Sequence, residues 1–283
     1  MSAPKSAILA LARPLPTPRL PGFHASLAVT LAVVLALVVL PLLALVMVVA
    51  RADPSHVREV LLSDRTLAAY ALSFGAALLA AVLSAPLGLG IAWTLVRYEV
   101  PGRRLWDALV DLPFAMPTAV SGIALTQLWG PRGAFGALLA PLGLEIAFTR
   151  AGVVLALIFV SLPFVVRTVQ PVLESFPRET EEAAASLGAD RTTTFLRVIL
   201  PALRPALLAG ATLGFARAIG EYGSVVFIAG NVPFRTEIAP LLVLVRLEEY
   251  DYAGAAAIAT GMLAASAAIL AILASRAKGV RHG

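Results

Sequence analysis

Few side chains in this 283-residue chain can do chemistry, and the two most telling are Arg217 and Glu221. They stand four apart in an otherwise apolar run, a spacing that lets them pair on one helical face. An ion pair in apolar surroundings marks either a lock between helices or a polar path, as a gate or as an anion contact made by Arg217. Thr118 and Ser121 are three apart in another apolar run and share a face. Their hydroxyls can donate to a passing anion or bond back to their own helix. The parts of other chemistries are missing. There is no cysteine, and the three histidines, His24, His56 and His282, lie outside the apolar segments. Neither a metal cluster nor a Ser-His-Asp set can be assembled from them. No Gly-x4-Gly-Lys-Ser/Thr segment occurs, and the two lysines, Lys5 and Lys278, follow no glycine-rich loop. The chain should therefore not hydrolyse ATP itself. No catalytic residue, cofactor or metal site is expected.

The elements that must hold these residues are apolar. Hydrophobic residues make up 59% of the chain and charged ones 14%, and the mean hydropathy is +0.89. That composition predicts an all-α polytopic membrane protein. A span needs about 20 apolar residues, which predicts six helices at 27–50, 67–96, 107–129, 151–170, 204–228 and 253–274. Val225–Gly230 either extends the fifth span or forms a re-entrant piece, since Gly220-Glu221-Tyr222-Gly223 interrupts the run. A seventh span is the alternative. The first run ends in Ala50-Arg51-Ala52, which mimics a signal-peptide cleavage site, but its 24 apolar residues exceed a signal core and predict a retained helix. Before it, residues 1–26 carry five prolines and read as a tail; residues 275–283 form a second tail, leaving one membrane domain at 27–274. No internal repeat is evident.

Placing both termini in the cytoplasm puts fourteen Arg and Lys residues on the inner side and seven on the outer. The positive-inside rule favours that orientation and accounts for the net charge of +5 without nucleic acid. The third span carries Pro113 and Pro117, which each cancel a backbone bond and free the carbonyls of Leu109 and Pro113. In lipid such groups need partners, so this helix should face protein or a watery path. On the inner rim, Asp111 should pair with Arg167 or with Arg103 or Arg104, because a lone carboxylate beside hydrocarbon is costly. Ala206, Gly210, Gly214 and Ala218, at four-residue spacing, suit close helix packing.

The most informative segment is the polar one at 171–204. Pro171 is expected to end the fourth span. Pro177 suits the first turn of a short helix whose positive end attracts Glu179, Glu181 and Glu182. Gly188 can adopt the left-handed turn that stops it. Asp190 or Thr192 can cap a second helix reaching Leu200, with Pro201 marking a bend into the fifth span. The product is a helix–turn–helix near the membrane surface, whether as a docking device or as a solvated amphipathic loop.

Glu182-Ala183-Ala184, three residues, Gly188, nine residues, then Val198, Leu200 and Pro201 resemble the EAA signature of permease subunits of ATP-binding-cassette importers. Val198 stands where that signature has Ile. The likeness extends to YEVPGRRLWDALVD at Tyr98–Asp111, LPFAMPTAVSG to Gly122, FVVRTVQPVLE from Phe164, FARAIGEYGSVVFIAGN from Phe215 and LVRLEEYDY from Leu244. Over roughly residues 21–275 the chain resembles the sulfate/thiosulfate importer permease, CysT type. The resemblance implies a MetI-like permease fold in a bacterial inner membrane. It implies that Glu182, Ala183, Ala184, Gly188, Val198, Leu200 and Pro201 couple to an ATPase, while Thr118, Ser121, Arg217 and Glu221 are candidates for the substrate path. The partners it implies are a CysW-type permease, two ATP-binding-cassette subunits, a periplasmic sulfate/thiosulfate-binding protein and membrane lipid, with no nucleic acid. Molybdate or another tetrahedral oxyanion is the alternative substrate, and a non-transporting scaffold the alternative class.

Overall fold

Runs of alanine, leucine and valine in lipid must satisfy every backbone group internally, and helices do so. The computed structural model describes residues 22–279, and among these every regular element is helical. The tail segment 1–21, with Lys5, Arg13 and Arg19, and the last four residues lie outside the described residues.

The first unit, up to Val48, is carried by α1 (Phe23–Arg51). This helix takes in the last four residues of the expected tail, and it widens into a π turn at Leu35–Val39. Pro41 follows two residues later; its ring crowds the carbonyl four residues back, and a wider turn relieves the clash.

The second unit holds the other elements. These are α2 (Pro54–Leu62), α3 (Asp64–Arg97), α4 (Arg103–Ala115), α5 (Thr118–Trp129), α6 (Ala134–Leu139), α7 (Arg150–Glu174), α8 (Arg178–Ser186), α9 (Arg191–Ile219), α10 (Gly223–Ala229), α11 (Ala239–Glu248) and α12 (Tyr252–Gly279). Side-chain caps start several of them: Asp53 accepts from the Ser55 amide before α2, and Ser63 from the Thr66 amide before α3. Among the described residues five helices are long and apolar enough to cross a membrane, and six if the bent α4–α5 pair counts as one span. The expected architecture of about six membrane helices therefore holds.

The core is built on α3, α7 and α9, where the alanines of α3 and the small-residue face of α9 pack on the valines and leucines of α7. Ala206, Gly210, Gly214 and Ala218 are all buried and form the α9 face of this contact. Gly210 lies against Val165, and Gly214 against Ser161. Ser84 and Ser161 share a buried hydrogen bond of 2.9 Å between α3 and α7.

Several boundaries differ from the sequence expectations, most of them at a proline or glycine. Pro171 does not end the fourth span; the ladder resumes as the Ser175 amide donates to the Pro171 carbonyl at 3.1 Å, and α7 runs to Glu174. Pro201 does not interrupt the helix. A π turn at Phe195–Ile199, closed by the Leu200 amide on the Phe195 carbonyl, absorbs its clash and leaves α9 continuous from Arg191. The third span is not one helix: α4 and α5 meet at a 115° bend. There Met116 is forced extended ahead of Pro117, which has no N–H to continue the ladder. The fifth span stops at Ile219 rather than 228, and α10 is a separate seven-residue helix. At about 1.5 Å per residue it reaches only about 10 Å, too short for a seventh crossing. The last helix also continues five residues into the expected tail, to Gly279.

Candidate functional site

Two regions gather the candidate residues. The first is the polar segment between α7 and α9. Pro177, in extended geometry, is the cap residue of α8, one position ahead of the expected first turn. Glu179 and Glu181 occupy the first turn, where the helix dipole favours acids. The helix ends in a Schellman turn: the Ala189 amide reaches the Ala184 carbonyl at 3.0 Å, and the Gly188 amide reaches Ala185 at 2.9 Å. Gly188 has φ +85°, the left-handed backbone that side chains resist, although open space surrounds it. The next helix begins with Asp190, whose Oδ1 accepts from the Thr193 amide at 2.8 Å. Hydrogen bonds from the Thr193 side chain and then its amide hold the Asp190 carboxylate below its ordinary pKa.

Glu182 and Ala183 are exposed on α8, while Ala184 is half-buried. Val198, Leu200 and Pro201 are half-buried along the start of α9 and flank the buried Ile199. Thus the seven motif residues split into an outward ridge and an inward anchor. The anchor is reinforced by contacts that motif spacing does not reveal. Glu181 pairs with Arg97 at the end of α3. The Arg97 guanidinium lies 5.6 Å from the centre of the Trp93 ring, and Trp93 meets Phe195 edge-on at 5.3 Å. Leu187, at the tip between the two helices, is 89% exposed. A leucine held out by a glycine turn is a ready contact for another protein, and its position in the motif was the only sequence signal.

The rim beside this segment is crosslinked. Arg167 on α7 makes a bidentate pair with Asp111 on α4, both contacts 2.7 Å. It also reaches the Asp107 carboxylate at 3.1 Å, the Asp107 carbonyl at 2.8 Å and the Gln170 side-chain oxygen at 2.7 Å. Arg103 pairs with Glu174 at 3.0 Å. The expected Asp111 partner is therefore Arg167, and Asp107 and Gln170 join a network that sequence spacing did not indicate.

The second region is the pair of breaks. Because α5 restarts after Pro117, Thr118 stands at its amino end, half-buried against α10. Ser121 is 2% exposed, and its hydroxyl bonds back to the Pro117 carbonyl at 3.4 Å. One turn of contact explains the approach: a Cβ on Gly122 would come 2.5 Å from the Ser224 carbonyl oxygen. Arg217 and Glu221 do pair, at 2.7 Å, but Glu221 lies beyond the end of α9 and not on a continuous helix. Its side chain is 1% exposed against 36% for Arg217. The other carboxylate oxygen accepts from the Ser224 amide at 2.9 Å and the Ser224 hydroxyl at 2.8 Å. Glu221 thus ties the end of α9 to the start of α10, which in turn packs on Thr118 and Gly122 of α5. All four candidate path residues belong to one neighbourhood, with Thr118 and Arg217 the more accessible pair.

At the opposite end, Arg65 clamps Glu237 through two bonds of 2.8 and 2.7 Å, and His56 meets Asp251 at 2.9 Å. These ties link α2 and α3 to the loops around α11. Burial acts to raise the Asp251 pKa, but bonds from the Gly254 amide and His56 outweigh it and hold the carboxylate low.

Comparison with known proteins fits this geometry. A family model described as "Binding-protein-dependent transport system inner membrane component" matches residues 84–278. The probable sulfate transport system permease protein cysT of Nephroselmis olivacea is 50% identical over 243 residues, covering 86% of each chain. The sulfate transport system permease protein CysT of Escherichia coli K12 is 47% identical over 251 residues, 89% of this chain and 91% of that protein. The protein of the same name in Synechococcus elongatus is 49% identical over 234 residues, 83% and 84% of the two. Among solved structures, a bacterial ABC transporter involved in import of the acidic polysaccharide alginate aligns with TM-score 0.71 at 16% identity, over 90% of this chain and 94% of that one. That likeness speaks for the fold, a MetI-like importer permease. With the family match covering α4 to α12 and relatives near one-half identity across most of its length, the chain belongs to the binding-protein-dependent transport system inner membrane components.

Proposed function

We propose that this chain is the transmembrane permease subunit of an ATP-driven importer that carries sulfate, and thiosulfate with it, across a bacterial inner membrane. The observation that carries the reading is the 47–50% identity to curated sulfate permeases over more than four-fifths of the chain. Both termini lie in the cytoplasm, as the arginine and lysine distribution favours. The segment at 171–204 then faces an ATPase. The outward ridge of Glu182, Ala183 and Leu187 docks on that subunit. The Gly188 turn sets the angle of the ridge, and Val198, Leu200 and Pro201 carry its movement into α9. A CysW-type permease, two ATPase subunits and a periplasmic sulfate-binding protein complete the machine, and the loops at 51–66, 130–150 and 230–252 receive the binding protein. Because the chain has no phosphate-binding loop, hydrolysis belongs to the ATPase partner.

Sulfate is a dianion throughout the physiological range, so its path needs donors that do not trap it. Thr118 and Arg217 border that path. Glu221 tempers the arginine, and Ser121 supports the helix break from behind. The test is uptake of labelled sulfate by cells that lack their own importer and express the complex with this chain. Sulfate uptake that depends on this chain is expected. Uptake of molybdate with none of sulfate would refute the substrate assignment.

A further inference from the structure

An apolar groove runs between α3, α4 and α7 that the transport reading leaves unused. Leu87 and Gly90 of α3, Trp106 and Leu109 of α4, and Phe159 and Leu162 of α7 line it. Its polar side chains are Thr94, whose hydroxyl is already bonded to the Gly90 carbonyl at 2.8 Å, and Trp106, whose indole N–H is a single donor. The groove therefore asks for little hydrogen bonding from its occupant. Along α3 it extends from Pro86 to Leu95, about 14 Å at 1.5 Å per residue. That is the depth of one leaflet, half of the roughly 30 Å hydrocarbon thickness. Trp106, an interfacial side chain, stands on its wall, and Val100 and Pro101 close its inner end.

Those same two residues also line an adjoining notch with Arg97, Arg103 and Arg178, and with Glu99 on its rim. The guanidinium donors there are not all used. Arg103 spends one nitrogen on Glu174 and another, at 3.7 Å, on Asp107. Arg97 pairs with Glu181, but its Nε is buried without an acceptor. Among the described residues Arg178 has no ion-pair partner and its side chain makes no hydrogen bond. A leaflet-deep apolar slot ending at unspent guanidinium donors has the chemistry of an acyl chain joined to a phosphate.

We infer that this groove binds one anionic phospholipid of the inner leaflet, its acyl chain along Gly90 and its phosphate on Arg178 and Arg103. Such a lipid bridges α4 to the first residue of α8, the helix assigned to ATPase docking. The inference goes beyond the transport reading and does not depend on which anion is carried. A protein helix from the second permease would need no phosphate-binding donors at the groove's end, which is why lipid is the occupant chosen.

The experiment is native mass spectrometry of the whole transporter complex in nanodiscs of phosphatidylcholine, with and without phosphatidylglycerol. The wild-type complex should retain phosphatidylglycerol on this subunit in preference to phosphatidylcholine. Arg178→Gln should cut that preference about fivefold, the attraction of one juxtamembrane cation to an anionic headgroup. A Cβ at Gly90 meets nothing within 4 Å, so Gly90→Leu can fill the slot without displacing its neighbours, and it should remove the bound lipid while the complex stays assembled. Equal retention of the two lipids by the wild type overturns the inference without recourse to any variant. So does undiminished retention in Gly90→Leu, or loss of the second permease from that variant, which would make the groove a protein seam.

Discussion

Gly188 offers the sharpest test of the docking reading, because the structure separates backbone strain from crowding there. Its φ of +85° lies in the left-handed region, yet a Cβ would meet no atom within 4 Å. Any substitution cost must therefore come from the backbone. An ordinary L-residue pays roughly 1–2 kcal/mol in that conformation, Asn pays less, and a β-branched residue sits at the top of the range. A shift of about 1–2 kcal/mol lowers the population of the turn by a factor of about 5 to 30. The turn sets where Leu187 and the exposed face of α8 point, so coupling should fall by the same order. Gly188→Asn, Gly188→Ala and Gly188→Val should show progressively slower labelled sulfate uptake, with equal amounts of protein in the membrane, since the site is exposed and outside the spans. Gly188→Leu, unbranched at Cβ, should fall between Ala and Val in spite of its size. The order Asn above Ala is the decisive feature, because Asn is the larger residue. If uptake instead follows side-chain volume, with Ala above Asn, the turn geometry is not what the glycine supplies.

The Arg167 network should show coupling: Asp111→Asn and Arg167→Gln together should cost less than their separate losses by about 1–2 kcal/mol, since the pair is bidentate but only partly buried. A double-mutant cycle of thermal unfolding on the purified complex reads this, and strict additivity would remove the latch. Arg217→Gln strands the buried Glu221 carboxylate. The loss should be about 2 kcal/mol, below the 3–5 typical of a fully buried pair, because Ser224 still donates twice. Arg217→Gln/Glu221→Gln should recover part of that stability in the same assay, and a double variant no more stable than the single would count against the pairing. The Asp190 cap carries a pH signature. Its folded pKa lies under the unfolded 3.8, so the cap contributes fully above that value and is lost as pH falls through the folded one. Protection of the Thr193 amide from exchange, corrected for intrinsic rate, should drop below pH 3.8 in the wild type and stay flat in Asp190→Asn.

The comparison of expectation and structure turns on prolines. Each of Pro171, Pro201 and Pro117 cancels one hydrogen bond, and the sequence treats the three alike. The fold distinguishes them. At Pro171 the ladder resumes with Ser175. At Pro201 a π turn widens the helix and lets it run on unbroken. At Pro117 the bend is 115°, because Pro113 has already removed one bond four residues earlier and α10 packs against the restarted helix. A local breaker states that a bond is missing; only the packing around it states whether the helix kinks, widens or ends.

Composition and apolar period by themselves determined an all-helical chain with about six membrane spans, because lipid leaves the backbone no other solution. Local signals also determined the helix–turn–helix at 177–200, since Gly188, Asp190 and the acidic first turn act through bonds only a few residues long. Arg217 and Glu221 were legible as a pair for the same reason. What the sequence could not decide were contacts between residues far apart in the chain. Arg97 with Glu181, Arg167 with both aspartates, and the seating of α10 on Gly122 depend on how helices are turned about their axes. That rotation is set by packing between α3, α7 and α9; the small-residue face of α9 is visible in the sequence, but α3 is rich in alanine and α7 in valine and leucine, so neither marks the face that meets it.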